Sequence, residues 1–288
     1  MSKVAFITSI RGGYEKTCKP VVKQTVDCDF ICFTDDPNIE KNGWEIDTHP
    51  YHDTHRSPID TGLYINSTYK GEVTPILEGR LDYINNRHTF NLAKYYKVQW
   101  KLIPRLKDYD IVIWMDGTLE IKSSNVAEYM LQLCPKYDLV TWHHELRGGF
   151  LYHEAYVSDM GKYTDVNYLG QKQPYQDVMR QYLEYLRDGY DEHYFKEVFK
   201  REEGRGRKDQ FGVWATGFLA FNNKSEFIPK FLDAWYLQIL KYTTQDQISF
   251  PKVAQDFKWA PYTLPDDIFP GFEAHVENSM FKVHKHGK

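Results

Sequence analysis

The chain alternates short apolar runs with stretches of helical length, and this alternation restricts the fold more than any other feature. The apolar runs are rich in β-branched and aromatic residues: VAFITSI, DFICFT, IVIWM, LVTW and WATGFLAF. Such runs separated by helical lengths predict βαβ units and a mostly parallel sheet flanked by helices. Because no repeat, linker or low-complexity tract interrupts the pattern, we predict a single α/β domain over residues 1–288.

Composition argues against two classes of partner. The 288 residues include 36 basic and 40 acidic side chains, a formal net charge of -4. No global positive field therefore exists to hold nucleic acid or anionic lipid. No apolar run approaches the roughly 20 residues that cross a bilayer, and the first residues lack the apolar stretch of a secretory signal. We expect a cytoplasmic protein with no transmembrane segment and no nucleic-acid partner.

The cysteines do not form a recognisable metal or disulfide pattern. The chain has four of them, with neither a CxxC pair nor a dense framework. We expect them to be reduced and structural, and their spacing argues against a zinc site. They are Cys18, Cys28, Cys32 and Cys134.

A carboxylate at the tip of an apolar strand is the sharpest local feature. The run Ile111 to Met115 ends at Asp116, and Asp116, Thr118 and Glu120 alternate along WMDGTLEI. These three side chains would share one face if the strand continued without a bulge. A hard divalent cation prefers such oxygen ligands and often also binds a substrate diphosphate, so the motif predicts a metal-diphosphate site. An acidic turn at a strand end would explain the same residues.

Two helices are predicted from periodicity. Apolar residues recur at three-to-four spacing from Asn86 to Leu106, and Pro104 ends or kinks that helix. Arg87 and Lys94 lie seven apart, two turns along one helix face, where both could point at one diphosphate or form an exposed basic face. A later amphipathic segment begins with Ser225 as its predicted cap.

The order of these segments resembles the GT-A glycosyltransferases, which transfer a sugar from a nucleotide diphosphate donor. Within them, the chain is most similar to the glycosyltransferase-like family of plant mucilage and TOD-type proteins, which also occurs in bacteria and viruses. The similar segments run in order over most of the chain: VAFITSIRGGYE, DFICFTDD, NLAKYYKVQWKLIPRLKDYDIVIWMDGTLEI, HHELRGGFLYHEA, the helix from Gln176 to Gly189, and QDQISFPKV.

The resemblance implies a GT-A, Rossmann-like domain with two functional halves. Residues 1–121 would bind the nucleotide sugar and residues 122–288 the glycan or glycoconjugate acceptor. On the donor side, the family precedent places Thr8, Ser9 and Arg11 around the nucleotide and Asp35 at the base or ribose. The predicted donor-binding residues are Thr8, Ser9, Arg11, Asp35, Arg87, Lys94 and Asp116.

The resemblance also implies a divalent cation, Mn²⁺ or Mg²⁺, held by the acidic motif together with the donor diphosphate. That role falls on Asp116. The family's usual third-position aspartate is Thr118 here, and one carboxylate holds a cation more weakly than two. In some GT-A families a near-terminal histidine completes the metal shell, and this tail offers His284 and His286. The predicted metal ligands are Asp116, Thr118 and His284.

Acceptor-side candidates follow the LVTW strand, where a catalytic group would face the donor's anomeric carbon. An inverting transfer needs a carboxylate that takes the acceptor hydroxyl proton, because an alcohol is a poor nucleophile near neutral pH. The resemblance suggests that the DQ loop reaches the reacting sugar, which makes Asp246 the first choice for this base and Glu154 the second. Asp246 could instead only cap the helix that follows. The predicted acceptor-binding residues are His143, His144, Arg147, Trp214 and Gln247.

Aromatic residues make up 16% of the chain, an unusual share that either core packing or a sugar-stacking surface could explain. Rings in strands and amphipathic helix faces are expected in the core. Others lie where a glycosyltransferase would receive its acceptor, and we predict that they form a wall on which sugar rings stack. These are Tyr51, Tyr64, Trp142, Phe150, Tyr152 and Trp214.

The sequence therefore favours a glycosyltransferase, a hexosyl- or pentosyltransferase, and two other classes remain open. Some TOD-type relatives carry a ceramidase description, which makes a hydrolase one alternative. Neither a G-x-S-x-G elbow nor an HExxH pair is present to support it. The other alternative is a non-catalytic sugar-binding module, for which Thr118 in place of a second carboxylate is the main support.

Overall fold

A computed structural model describes the protein over residues 3–54, 68–69, 72–73, 89–143, 165–168, 171–174, 214–241, 246–264 and 280–284. Within these ranges the strands are β1 (Val4–Ile10), β2 (Cys28–Thr34), β3 (Glu45–Asp47), β4 (Thr68–Tyr69), β5 (Glu72–Val73), β6 (Ile111–Met115), β7 (Leu119–Ile121), β8 (Leu139–His143), β9 (Asp165–Tyr168), β10 (Gln171–Pro174), β11 (Trp214–Asn222), β12 (Tyr262–Thr263) and β13 (Phe281–Val283). The α-helices are α1 (Tyr51–Thr54), α2 (Thr89–Val98), α3 (Val126–Tyr137), α4 (Ile228–Lys241) and α5 (Asp246–Asp256).

A seven-stranded mixed sheet forms the centre of the fold, with the strand order β12-β8-β11-β6-β1-β2-β3. β1 is parallel to both of its neighbours, β2 and β6. β2 and β3 are also parallel, as are β8 and β12, whereas β11 runs antiparallel to β6 and β8. The predicted α/β class with a mostly parallel sheet is confirmed.

The strand order reverses direction at β1. From β1 the chain proceeds to β2 and β3 on one side, and β6 then pairs with the opposite edge of β1. Ligands of open α/β sheets bind beyond the carboxyl ends of the strands at such a reversal. The topology therefore directs attention to the residues that follow β1 and β6.

Helices cover both faces of the sheet. Every residue of β1 is buried, as expected of a parallel strand that is covered on both faces. Ala5 and Ile7 belong to the core that includes α2, α4 and α5, and Val4 and Phe6 belong to the core that includes α3. The alternation of side chains along β1 thus divides the apolar interior into two layers.

The predicted helix from residue 86 to 106 is shorter than expected in its described part. Helix α2 ends at Val98, and two 3₁₀ turns follow, Trp100–Leu102 and Pro104–Leu106. Ile103 is extended (φ -86°, ψ 111°) between these turns, because the residue before a proline avoids the helical region. The helix thus ends six residues before Pro104, which begins the second 3₁₀ turn, so the prediction that Pro104 ends or kinks the helix is wrong.

The predicted cap of α4 is confirmed. The Ser225 hydroxyl accepts hydrogen bonds from the backbone N–H groups of Phe227 (3.2 Å) and Ile228 (3.3 Å). These are among the first N–H groups of the helix, which have no partner within the helix itself.

Two other expectations concern the whole chain. None of the helices in the described ranges combines the length and the apolar character needed to cross a bilayer. All four cysteines are free thiols, and Cys18, Cys32 and Cys134 are buried. Their burial agrees with the structural role that was expected of them.

The turn before β3 requires a glycine at position 43. The backbone there has φ +96°, and a Cβ would collide with Val21. Gly43→Ala should therefore lower the free energy of unfolding by about 1–3 kcal/mol, from left-handed strain plus overpacking. Gly13→Ala is the control, since its φ is +68° but a Cβ there meets no atom within 4 Å. Urea denaturation that showed equal losses in the two variants would contradict this account.

Candidate active site

The carboxyl ends of β1 and β2 place two predicted donor contacts beside each other. In the parallel register Ile10 pairs with Thr34, so the residues that follow both strands are neighbours. Both carboxylate oxygens of Asp35 accept a hydrogen bond from the backbone N–H of Gly12, at 3.2 and 3.0 Å. Asp35 is exposed and retains lone pairs for a ligand. Its carboxylate therefore both holds the glycine turn after β1 and faces solvent.

Polar side chains at the end of β1 are buried in the apolar sheet. Thr8, Ser9 and Arg11 are all buried. The hydroxyls of Thr8 and Ser9 find no hydrogen-bond partner among the residues that the structure describes. The Arg11 guanidinium lies 4.5 Å from the centroid of the Tyr96 ring, which stabilises its charge by a cation–π interaction. These groups can donate hydrogen bonds and positive charge to an anionic ligand.

Asp116 follows β6 and begins a turn. Its N–H donates to Gly217 O (2.8 Å), and its own carbonyl accepts from Leu119 N (2.9 Å). Trp114 Nε1 donates to Asp116 Oδ1 at 2.8 Å, and the side chain is 43% exposed. This turn separates β6 from β7, so the condition under which Asp116, Thr118 and Glu120 would share one face of a continuous strand is not met.

A buried cluster of charges lies behind Asp116. Lys97 Nζ is 2.5 Å from Asp246 Oδ2 and donates to Thr216 Oγ1 at 3.0 Å. Lys94 Nζ is 3.0 Å from the same Asp246 oxygen. Thr216 in turn donates to Asp246 Oδ1 at 2.9 Å. The cluster reaches Asp116 through Lys97, whose Nζ is 3.9 Å from Asp116 Oδ1.

The ionisation of this cluster follows from burial and from the two ammonium groups. Burial raises the pKa of Asp246, but Lys94 and Lys97 lower it further, to about 2. Burial also lowers the pKa of Lys97, and Asp246 opposes this only in part. For Lys94, burial lowers the pKa, and the attraction of Asp246 and Asp116 more than compensates and raises it. Asp246 is therefore a carboxylate at neutral pH.

Sequence reasoning identified Lys94 and Asp246 but missed Lys97 and Thr216. Lys97 lies within the helical segment predicted from apolar periodicity, and it is buried. The available signal was its spacing of three from Lys94, which puts both ammonium groups on one helix face. The carboxylate of Asp246 contacts these lysines and Thr216, so its role goes beyond the helix cap that was the alternative.

The structure brings Thr118 and His284 together. β13 pairs antiparallel with β7, and His284 N donates to Thr118 O at 2.9 Å. The His284 ring, however, contacts Glu120, with Nε2 at 2.6 Å from Oε2. Lys122 donates to the other Glu120 oxygen at 2.9 Å. The C-terminal strand thus lies beside the acidic motif, but its histidine is engaged by Glu120.

The described residues do not fit the divalent cation that the resemblance implies. Among them, no group of three or more His, Cys, Asp or Glu side chains could hold a metal ion. Asp116 Oδ1 accepts from Trp114, and both Glu120 oxygens are engaged. Hard cations take several oxygen ligands, usually including carboxylates. The predicted set of Asp116, Thr118 and His284 therefore offers one carboxylate, one hydroxyl and one imidazole, fewer oxygen ligands than a hard cation takes.

The predicted acceptor wall needs a correction. Trp214 is 1% exposed, its Nε1 donates to Thr263 Oγ1 at 3.0 Å, and its ring contacts Phe250 edge-on. Trp142 is also buried and stacks on Phe218. These indoles serve the core because their strands are covered on both faces, so neither offers a face to a sugar.

The remaining predicted site residues lie partly outside the described residues. Gln247 is half-buried next to Asp246 in α5. The backbone of His143 ends β8 and pairs with Trp214. Tyr51 is half-buried and contacts Phe33 edge-on. Outside the described residues lie Arg87, His144, Arg147, Glu154, Tyr64, Phe150, Tyr152 and His286.

Two of the solved structures to which the chain is similar are glycosyltransferases. The chain aligns with WbbM, a bifunctional glycosyltransferase in its apo form, at 11% identity and a TM-score of 0.46, over 92% of this chain and 39% of that one. It aligns with mouse xyloside xylosyltransferase 1, also apo, at 10% identity and a TM-score of 0.47, over 92% of this chain and 86% of that one. No protein-family model matches the chain, and the curated proteins yield no match.

The buried carboxylate should be essential for stability. Asp246→Asn leaves the buried ammonium of Lys97 and the half-buried ammonium of Lys94 without this counter-ion and should lower the free energy of unfolding by about 3 kcal/mol. Asp256→Asn removes an exposed carboxylate that pairs with Lys252 at 2.7 Å, and should cost less than about 1 kcal/mol. Urea denaturation of both variants checks this, and an Asp246 variant as stable as the Asp256 control would show that the ion pairs stabilise nothing.

The carboxylate of Asp246 should make the free energy of unfolding depend on pH in the acid range. The pKa of Asp246 is about 2 in the folded protein against a reference value of 3.8. When the pH is above the reference pKa of 3.8, the ionised carboxylate therefore stabilises the fold by roughly 2 kcal/mol. This stabilisation is lost as the pH falls towards 2. The stability difference between wild type and Asp246→Asn should be about 1 kcal/mol smaller at about pH 3 than at neutral pH. A difference that does not change with pH would contradict the assignment.

Proposed function

We propose that this protein is a glycosyltransferase that moves a sugar from a nucleotide diphosphate donor to a hydroxyl of a glycan or glycoconjugate. The observation that carries the proposal is the set of polar residues at the reversal of strand order. Thr8, Ser9 and Arg11 follow or end β1, Asp116 follows β6, and Lys94 lies beside them through the Asp246 cluster. Hydroxyls, cations and an exposed carboxylate are the groups that a nucleotide sugar requires.

The donor is proposed to lie across the ends of β1, β2 and β6. Asp35 would accept hydrogen bonds from the ribose or base, since its carboxylate is exposed beside the glycine turn. Thr8 and Ser9 supply buried hydroxyls without described partners, and Arg11 supplies positive charge close to them. Asp116, with its exposed carboxylate, would accept from hydroxyls of the donor sugar.

The reaction breaks the bond between the anomeric carbon and the diphosphate oxygen, and the bonding electrons remain on that oxygen. Charge therefore develops on the departing diphosphate, and fixed cations that face it lower the barrier. Lys94 and Arg11 are the proposed source of this charge. The acceptor hydroxyl forms the new bond to the anomeric carbon and releases its proton.

The contacts of Asp246 favour a role different from the predicted general base. A base works best when its pKa lies near the working pH, and the pKa of Asp246 is about 2. Its oxygens are also occupied by Lys94, Lys97 and Thr216. We propose that Asp246 holds the two lysines in place and that Glu154 is the candidate for the proton acceptor. His143, His144, Arg147 and Gln247 remain proposed acceptor contacts.

Asp116→Asn tests the proposal directly. The variant should reduce release of nucleoside diphosphate from a panel of nucleotide sugars by at least about tenfold, the effect of losing one charge-assisted hydrogen bond. Asp256→Asn makes the same chemical change on an exposed helix position and should leave release unchanged. The assay follows nucleoside diphosphate with and without a panel of glycan acceptors.

Each alternative function gives a different result in this assay. Equal release of nucleoside diphosphate by wild type and Asp116→Asn would show that Asp116 does not contribute to the reaction. Nucleoside diphosphate binding without release in the presence of any acceptor would indicate a non-catalytic sugar-binding module, whose main support is Thr118. Tightly bound zinc without any response to nucleotide sugars would favour a hydrolase.

A further inference from the structure

We infer that lysine ammonium groups, and not a divalent cation, neutralise the donor diphosphate in this site. The inference rests on the proposed function, since it concerns how the same donor is held. It departs from the metal that the resemblance implies, because the described residues do not offer that metal a suitable set of ligands.

The position of Lys97 is the first observation. Its ammonium lies between two carboxylates, 2.5 Å from Asp246 Oδ2 and 3.9 Å from Asp116 Oδ1. The side chain is 1% exposed, and its Nζ is 5.9 Å from the ring of Trp114 and 5.8 Å from that of Trp235. A cation that bridged Asp116 and Asp246 would need the space that this ammonium already occupies.

The charge balance of the cluster is the second observation. Asp246 compensates one of the two ammonium groups, so Lys94, Lys97 and Asp246 together carry one positive charge. The lysine cluster therefore carries a net positive charge beside Asp116 in the absence of any metal, and an anionic ligand is attracted to it.

Lys94 is the group that can deliver this charge. Its side chain is 20% exposed, whereas Lys97 behind it is 1% exposed. An ammonium group has three donors, and the 3.0 Å contact with Asp246 Oδ2 occupies one direction. Lys97 and Asp246 thereby act as positioning residues: they fix the ammonium of Lys94 at the edge of the site, where its other donors can reach phosphate oxygens.

Calorimetry with nucleoside diphosphates tests the inference. Uridine, guanosine, adenosine and cytidine diphosphates are titrated into the full chain, once with excess EDTA and once with excess Mn²⁺. We expect the tightest of them to bind with dissociation constants that agree within about twofold between the two buffers. Lys94→Met should weaken that binding by at least about tenfold in EDTA, because it removes the half-buried ammonium group that is proposed to contact the diphosphate.

Lys252→Met is the matched control. Lys252 is 23% exposed and pairs with Asp256, so it resembles Lys94 in exposure and in having a carboxylate partner. Its loss should leave nucleotide affinity unchanged. Lys94→Met retains the contact between Lys97 and Asp246, and thermal denaturation verifies that both variants are folded before affinities are compared.

Paramagnetic resonance of Mn²⁺ added to the protein without nucleotide gives a second readout that does not depend on the variants. We expect the signal of free Mn²⁺ to persist. A stoichiometric Mn²⁺ site that disappears in Asp116→Asn, or nucleotide binding at least about tenfold tighter with Mn²⁺ than with EDTA, would overturn the inference and leave the glycosyltransferase proposal standing. If none of the nucleoside diphosphates bound in either buffer, the proposed function itself would be overturned.

Discussion

The buried contact between Asp246 and the two lysines is the interaction on which the site depends. It joins α2, which carries Lys94 and Lys97, to the first residue of α5, and Thr216 adds the start of β11. Charges removed from water are tolerated only when they are paired and hydrogen-bonded. The position of each of these three elements is therefore tied to the others, and the strand end at Asp116 is held next to them.

This arrangement also separates the roles of the two acidic residues. Asp246 is buried among cations and stays ionised far below neutral pH, which makes it a fixed counter-ion. Asp116 has the more exposed carboxylate and contacts the cluster only at 3.9 Å. The carboxylate of Asp246 thus stabilises the protein because two ammonium groups surround it. The carboxylate of Asp116 is 43% exposed and faces solvent.

The sequence predicted the features that depend on local pattern. The alternation of apolar runs predicted the α/β sheet, and the ends of the apolar runs correctly located Asp35 just after β2 and Asp116 just after β6. What failed depended on contacts distant in sequence. The turn after Asp116 is fixed partly by Gly217, about a hundred residues later, and the burial of Trp214 depends on α5 packing over it. Lys97 is buried in the core. Its contact with Asp246 depends on the tertiary fold, so the local sequence could not indicate it.

The antiparallel direction of β11 has a consequence for how such a protein can diversify. β8 ends at His143 and β11 starts at Trp214, and these two residues pair with each other at the sheet edge where β1 and β6 also end. The chain therefore leaves the sheet at the end of β8 and re-enters it at the start of β11 at the same edge, next to the candidate donor site. Because one backbone pairing fixes both ends of this connection, a change in its length need not shift the register of β8 against β11.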